Sequence, residues 1–447
     1  MSHCDPSRYD PQAAVLDAFR AALQSPHYCE LLSAAGVTPS RVDSLAAFSA
    51  LVPIIRKDQL FNAQVPFHRL CAGGELGQVG SVMVSSGFSG NNAYAVATAQ
   101  EIAATVDGID AALDLFFGVA RTPTLLINAF PMGIHLPTSH PLGETGPRSD
   151  LVLKLLTQFG SYYAQTVILA DPHVLKKIVD EGNETAIDWP AQNVSFVAGE
   201  DWLPQTLRAY IHTRTGIADD STRVLIGTMG LTELGLNLFF ETRETIRLRR
   251  FAGADPGLRN ALCPGASAAV PSIFHYDPTR LFVESTPHPE GRELVLTCLS
   301  GPRRVPMIRY ATGDLGDVRS PQQVSAALGA RGLGHLQPTL PLPLAWVAGR
   351  ASGIATATGR LRAEDLRHGI YSDPAVAHAV TGHFTIRADR AAVQLRRGVM
   401  ASAALRQATQ RALFSAVDTL LPTQLYSYDD YPFAKDLDYQ SKFHHSA

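Results

Sequence analysis

At 447 residues the chain is long enough for two or three domains and for a large core that needs neither disulfide nor metal. Its 38 Lys and Arg against 41 Asp and Glu give a formal charge of −3, so charge makes no case for nucleic acid or an anionic membrane, and a small-molecule partner is expected. Five cysteines, Cys4, Cys29, Cys71, Cys263 and Cys298, lie far apart without a CxxC pair, which argues against a zinc knuckle or a disulfide framework and fits a reducing cytosol.

In chain order, the opening MSHCDPSRYD is polar and unlike a signal peptide, and no run of about 18 apolar residues follows anywhere, so a soluble cytoplasmic protein is expected. Residues 11–36 show helical periodicity through Val15, Leu16, Phe19, Leu23, Leu31 and Leu32, broken at SPHY (25–28). From about 80 to 300 short apolar runs bounded by Gly and Pro predict buried strands at TLLINAF (124–130), TVILA (166–170), VSFVAG (194–199) and RVLIGTMG (223–230). Helices predicted over 101–117, 149–159 and 201–214 alternate with them, the pattern of a largely parallel sheet covered on both faces, with ligands at the strand C-terminal ends. LFVEST (281–286) and ELVLTCLS (293–300) predict an antiparallel hairpin. The Pro-rich QPTLPLPL (337–344) reads as a linker before a smaller unit that contains AAVQLRRG and a helix over 401–421, placing a domain boundary near 350. No internal repeat or low-complexity tract is present.

Three stretches carry chemistry. VSSGFSGNN (84–92) follows a strand-like run; its glycines let the backbone approach closely, and free N–H groups and serine hydroxyls can donate to phosphate oxygens. It lacks the lysine of the GxxxxGK[ST] pattern, and GxxG among serines is also common in ordinary turns. IGTMGLTELG (226–235) presents Thr232 beside Glu233, which suits a phosphate-bound magnesium, while the residue types taken alone favour a helix N-terminus with Thr232 as cap and Glu233 as a first-turn acid. PMIRYATGDLGD (306–317) places Asp314 in a turn after a strand, where a carboxylate can accept both hydroxyls of a ribose or simply sit at a solvated corner.

Together, in this order, the stretches resemble the adenylate-forming superfamily and, within it, the phenylacetate–CoA ligase branch with its acyl-protein synthetase relatives. SPHYCELLSAAGV, LVPIIRKDQL, VSSGFSG, VAGEDWLPQTLRAYI, GTMGLTELG, ELVLTCLSGPRRVPMIRYATGDLGD and VAGR carry the resemblance over nearly the whole chain. It implies an α/β fold: a large N-terminal adenylate-forming domain (1–349) with mixed, largely parallel sheets flanked by helices, and a small, mobile α+β C-terminal domain (350–447). It implies two steps, attack of a carboxylate on the α-phosphate of ATP to give acyl-AMP and pyrophosphate, then displacement of AMP by an acceptor.

In such a site Ser85, Ser86, Gly87, Ser89 and Gly90 would cradle the β- and γ-phosphates, Thr232 would touch the α-phosphate and Glu233 the magnesium ion. Met229 and Gly230 lead into that pair on the nucleotide side. Gly199 and Glu200 would border the adenine, while Asp314 and Arg350 would hold the ribose. Phe130, Met132, Gly133 and His135, in NAFPMGIHLPTSH, would line the acyl pocket, the branch favouring aromatic or heteroaromatic acids. A homodimer is implied by the resemblance alone.

The chain departs from the family pattern at three places. Phe88 stands where a small hydroxyl residue is common, and Asn91 and Asn92 where many members carry a lysine; asparagine amides can still donate to phosphate. Ser352 and Gly353 replace the acidic pair of the hinge, in which Ser352 takes the pivot position. The catalytic lysine near the C-terminus is assigned to Lys442, after Ser441, in preference to Lys435. Three functions follow: a ligase passing its adenylate to CoA or a carrier-protein phosphopantetheine, one passing it to an amine or other nitrogen nucleophile, and a nucleotide-binding homologue whose catalysis has decayed.

Overall fold

The computed structural model describes residues 9–85, 92–131, 133–265, 269–299, 303–350, 353–356, 359–387, 390–417 and 420–433. In chain order its strands are β1 (Ser81–Val84), β2 (Tyr94–Ala97), β3 (Thr124–Asn128), β4 (Leu142–Glu144), β5 (Gln165–Ala170), β6 (Val194–Ala198), β7 (Leu225–Leu231), β8 (Gly235–Phe240) and β9 (Ser272–Tyr276). They continue as β10 (Leu281–His288), β11 (Gly291–Cys298), β12 (Tyr310–Arg319), β13 (Leu344–Arg350), β14 (Ile354–Thr356), β15 (Gly359–Leu361), β16 (Val380–Ile386), β17 (Ala391–Leu395) and β18 (Thr423–Tyr426).

The chain divides into two compact units. The first holds residues 1–115, 229–240 and 273–347. Its strands lie in the order β10-β11-β12-β13-β9-β8. The β10/β11, β11/β12 and β8/β9 pairs are antiparallel. The hairpin expected near 281–300 therefore forms, and it is longer than the two apolar runs suggested, pairing from Leu281↔Cys298 down to His288↔Gly291. Apolar faces of the N-terminal helices Pro11–Ala22 and Pro26–Ala34 close this core, with Phe19, Tyr28, Leu32, Phe48, Leu294, Met307 and Ile308 buried together. The helical break falls at Ser25, whose hydroxyl caps the second helix ahead of Pro26, so that PHY begins a helix.

The second unit holds residues 116–228, 241–272 and 348–447. Here the strand order is β7-β6-β5-β3-β4, and the β3/β4, β3/β5, β5/β6 and β6/β7 pairs are all parallel. The four predicted apolar runs form β3, β5, β6 and β7, and the predicted helix 149–159 is Ser149–Phe159. β3 and β6 are buried along their whole length and so show no polar alternation, as expected of parallel strands covered on both faces.

Residues from the C-terminal part join the same apolar core: Leu366, Ile370, Val380, Phe384, Val393 and Leu413 pack with Val152, Ile168, Val179 and Phe196. A buried Lys176–Asp180 ion pair of 2.6 Å fastens this packing, since the ammonium also donates to the Val380 carbonyl at 2.8 Å. The long helix expected over 401–421 is shorter, Ala403–Leu413, and Pro422 introduces β18 instead.

Candidate functional site

In the first unit the two described ends of the serine-rich stretch, Ser85 and Asn92, flank a pair of antiparallel strands. β1 and β2 pair antiparallel from Ser81↔Ala97 to Val84↔Tyr94, and Ser85 closes the neck by donating its N–H to the Ala93 carbonyl at 2.8 Å. The Ser85 hydroxyl accepts from the Ala93 N–H at 2.7 Å and from the Lys57 ammonium at 3.2 Å. Asn92 spends a side-chain N–H on the Ser85 carbonyl, 2.7 Å away, so its amide serves the neck. Ser86, Gly87, Phe88, Ser89, Gly90 and Asn91 lie outside the described residues.

Thr232 and Glu233 occupy the turn between β7 and β8, closed by the Leu234 N–H donating to the Leu231 carbonyl at 2.9 Å; they do not begin a helix. The turn is tight because Gly230, one residue before the end of β7, lies close against β8: a Cβ on it would lie 2.8 Å from the Gly235 carbonyl oxygen, and Met229 precedes it in the strand. The Glu233 carboxylate is buried, and the Tyr310 hydroxyl donates to it at 2.5 Å. Arg303 holds the same turn by donating to the Leu234 carbonyl at 2.8 Å.

Asp314 sits within β12, buried, and not in a turn beyond it. Between the pairs Val295↔Ala311 and Glu293↔Leu315, the residues Thr312, Gly313 and Asp314 stand opposite Leu294 alone. This is a bulge, in which Gly313 takes the left-handed φ of 78° that a side chain resists. The Thr312 hydroxyl accepts from the Asp314 N–H at 3.0 Å, and the buried Glu293 carboxylate accepts from the Gly313 N–H at 3.1 Å. One strand thus presents Asp314 and, four residues earlier, the tyrosine that fixes Glu233.

The second unit contains the remaining predicted residues. Phe130 follows β3 and Gly199 follows β6, and the two meet: a Cβ on Gly199 would lie 3.1 Å from the Phe130 ring and 3.3 Å from the Thr228 methyl group. Glu200 takes a left-handed φ of 69°, a strained state for a residue with a side chain. Buried Asn128 orders the loop after β3, donating to the Ile134 carbonyl at 2.7 Å and to Glu144 at 2.6 Å. Glu144 in turn pairs with His135 Nδ1 at 2.7 Å, and the imidazole is exposed. Gly133 is exposed, with φ 66°. Arg350 ends β13 with its side chain exposed, while its N–H donates to Glu364 at 3.3 Å. Met132, Ser352, Lys435 and Lys442 lie outside the described residues.

Next to Gly199 and Glu200 in sequence, Asp201 pairs with Arg367 at 2.6 Å, and together with Asp171, Trp202 and Tyr371 they line a small cavity. Burial, with Asp201 as a second cause, pushes the Asp171 carboxyl up to about 7. Burial also lifts Glu364 to about 7.

The motifs did not single out Lys57, Tyr310, Glu293 or Asn128 as site residues. Lys57 reaches Ser85 across 28 residues of chain, and Tyr310 reaches Glu233 across 77. No local spacing reports such contacts. Among the described residues no group of three or more His, Cys, Asp or Glu side chains could hold a metal ion. Glu233 is nonetheless a fitting partner for magnesium, which commonly takes one or two carboxylates, waters and substrate phosphates. No helix of the described residues is long and apolar enough to cross a membrane.

Comparison with solved structures places the fold. A 2-hydroxyisobutyryl-CoA ligase in the postadenylation state, in complex with an acyl adenylate, superposes with a TM-score of 0.69 at 13% identity, covering 97% of this chain and 87% of that one. The same ligase in the thioesterification state, with adenylate and CoA, gives 0.56 at 15% identity over 97% and 89%. An anthranilate CoA ligase in complex with anthranoyl-AMP gives 0.51 at 13% identity, covering 83% of this chain and 66% of that one. No protein-family model matches the sequence, and no curated protein is significantly similar to it. The chain has the α/β fold of the adenylate-forming ligases.

Proposed function

We propose that the chain is an ATP-dependent ligase that activates a carboxylic acid as its acyl adenylate and passes the acyl group to a thiol, either CoA or a carrier-protein phosphopantetheine. The observation that carries this reading is the single strand β12, which presents Asp314 on a bulge and holds Glu233 through Tyr310, within a fold shared with acyl-CoA ligases.

In the first step a carboxylate oxygen bonds to the α-phosphorus of ATP and the bond to the bridging oxygen breaks, releasing pyrophosphate. Glu233 would hold the magnesium ion whose charge offsets that of the phosphates. Thr232 would contact the α-phosphate, Ser85 with the following residues to Gly90 would hold the outer phosphates, and Asp314 with Arg350 would accept or bind at the ribose. Lys442 would stabilise charge on the reacting oxygens. These donors act by being in place before charge develops. In the second step the thiol sulfur bonds to the acyl carbon, AMP leaves and the thiol proton passes to solvent; residues 350–447, turning about Ser352, would exchange the two arrangements. An aromatic or heteroaromatic acid would be favoured beside the Phe130 ring, which lies close to Gly199.

Pyrophosphate exchange into ATP, measured with a panel of carboxylic acids, tests the reading. Exchange that depends on an aromatic acid, followed by thioester when CoA is added, is the expected result. ATP binding without exchange for any acid would make the chain a catalytically decayed homologue, and exchange followed by amide but no thioester would reassign the acceptor to a nitrogen nucleophile.

A further inference from the structure

The serine-rich sequence carries no lysine, yet an ammonium stands at the neck that Ser85 and Ala93 make beyond β1 and β2. Three contacts put it there, all within the first unit. The Ile55 N–H donates to the Arg309 carbonyl at 2.8 Å and the Ala311 N–H to the Ile55 carbonyl at 2.9 Å, tying residue 55 to the start of β12. Arg56 makes a two-pronged pair with Glu293, at 3.2 and 3.0 Å, and Glu293 also accepts from the Gly313 N–H of the bulge. The short helix Lys57–Leu60 then begins with its first side chain directed to the Ser85 hydroxyl at 3.2 Å. Lys57 is half-buried, so its charge is less screened than a fully solvated one.

We propose that Lys57 supplies the phosphate-binding cation that the serine-rich sequence omits: its ammonium, set at the neck by Ser85 and by the Glu293–Arg56 pair, contacts the β- and γ-phosphates of the nucleotide. The three anchors make the position specific. β12 presents Asp314, fixes Glu233 through Tyr310 and, by the Ile55 bridge and Glu293, sets Lys57, so one strand registers three groups of the candidate nucleotide site. The inference rests on the ligase reading for the identity of the ligand as ATP. Its chemistry, an ammonium on a polyphosphate, is independent of which acid is activated.

The test compares ATP and AMP binding by calorimetry for the wild-type chain, Lys57→Gln and Lys57→Arg, with wild-type pyrophosphate exchange run in parallel. Glutamine keeps a hydrogen-bond donor for Ser85 and removes the charge; AMP lacks the β- and γ-phosphates. Lys57→Gln is expected to weaken ATP about tenfold or more, the usual scale for losing one charged hydrogen bond, and to leave AMP within about twofold, while Lys57→Arg keeps ATP within about threefold. Unchanged ATP affinity in Lys57→Gln overturns the proposal. Equal losses for ATP and AMP also overturn it, because Lys57 would then hold the neck and not the phosphates. A wild-type chain that binds ATP, loses it selectively in Lys57→Gln and exchanges no pyrophosphate would refute the ligase reading while upholding Lys57.

Discussion

Tyr310 shows how one hydroxyl can set a neighbour's chemistry. Glu233 is buried in a hairpin turn, where a carboxylate without a donor would be costly, and the Tyr310 hydroxyl meets one of its oxygens at 2.5 Å. In the proposed reaction the other oxygen would meet the magnesium ion. Tyr310→Phe removes the donor with little change of shape, so the carboxylate loses its orientation and about 1–3 kcal/mol of stabilisation. We expect the magnesium concentration for half-maximal pyrophosphate exchange to rise severalfold in Tyr310→Phe, with AMP affinity unchanged. An unaltered magnesium dependence would make the Tyr310 hydroxyl purely structural. The sequence pointed to Glu233 through its neighbour Thr232 but not to Tyr310, because a partner 77 residues away leaves no local trace.

At the scale of elements, the strands of the second unit were legible because they are short, continuous apolar runs between glycines and prolines, and helix 149–159 was legible from its periodicity. The two turns were read less well. Thr232–Glu233 carries helix-capping residue types but joins β7 to β8, and TGDLG carries turn residue types but lies inside β12. In both cases strand pairing overrode local residue preference. The β12 bulge explains why a glycine-rich stretch can remain in a strand: Gly313 at φ 78° accommodates the extra residues and redirects Asp314. Gly313→Ala should cost about 1–2 kcal/mol through its left-handed backbone. It should also weaken ATP and AMP alike, since both carry the ribose assigned to Asp314. That common loss differs from the ATP-selective loss expected of Lys57→Gln; a selective effect in Gly313→Ala would separate Asp314 from the ribose.

At the scale of the whole chain, the reading of residues 350–447 as a small separate domain rested on one Pro-rich stretch and the resemblance, and nothing in the sequence marked how much charge is buried where those residues pack in the second unit. Asp171 caps the helix Pro172–Glu184 by accepting from the His173 and Val174 N–H groups, and it lies in the cavity lined by Asp201 and Arg367. Burial and Asp201 raise its pKa to about 7, against roughly 4 for an unfolded carboxyl. A raised acid pKa means that the folded state disfavours the charged form. Stability from this group is therefore greatest at low pH, falls as pH rises from about 4 to about 7 and stays low above that. Asparagine at this position keeps an oxygen for the cap and carries no charge. Asp171→Asn should melt at a higher temperature than wild type at pH 8 and within about a degree of it at pH 4, by thermal denaturation of the full chain. A variant less stable than wild type at pH 8 would show that the Arg367 guanidinium needs the Asp171 charge as well as that of Asp201, whose 2.6 Å pairing otherwise neutralises it.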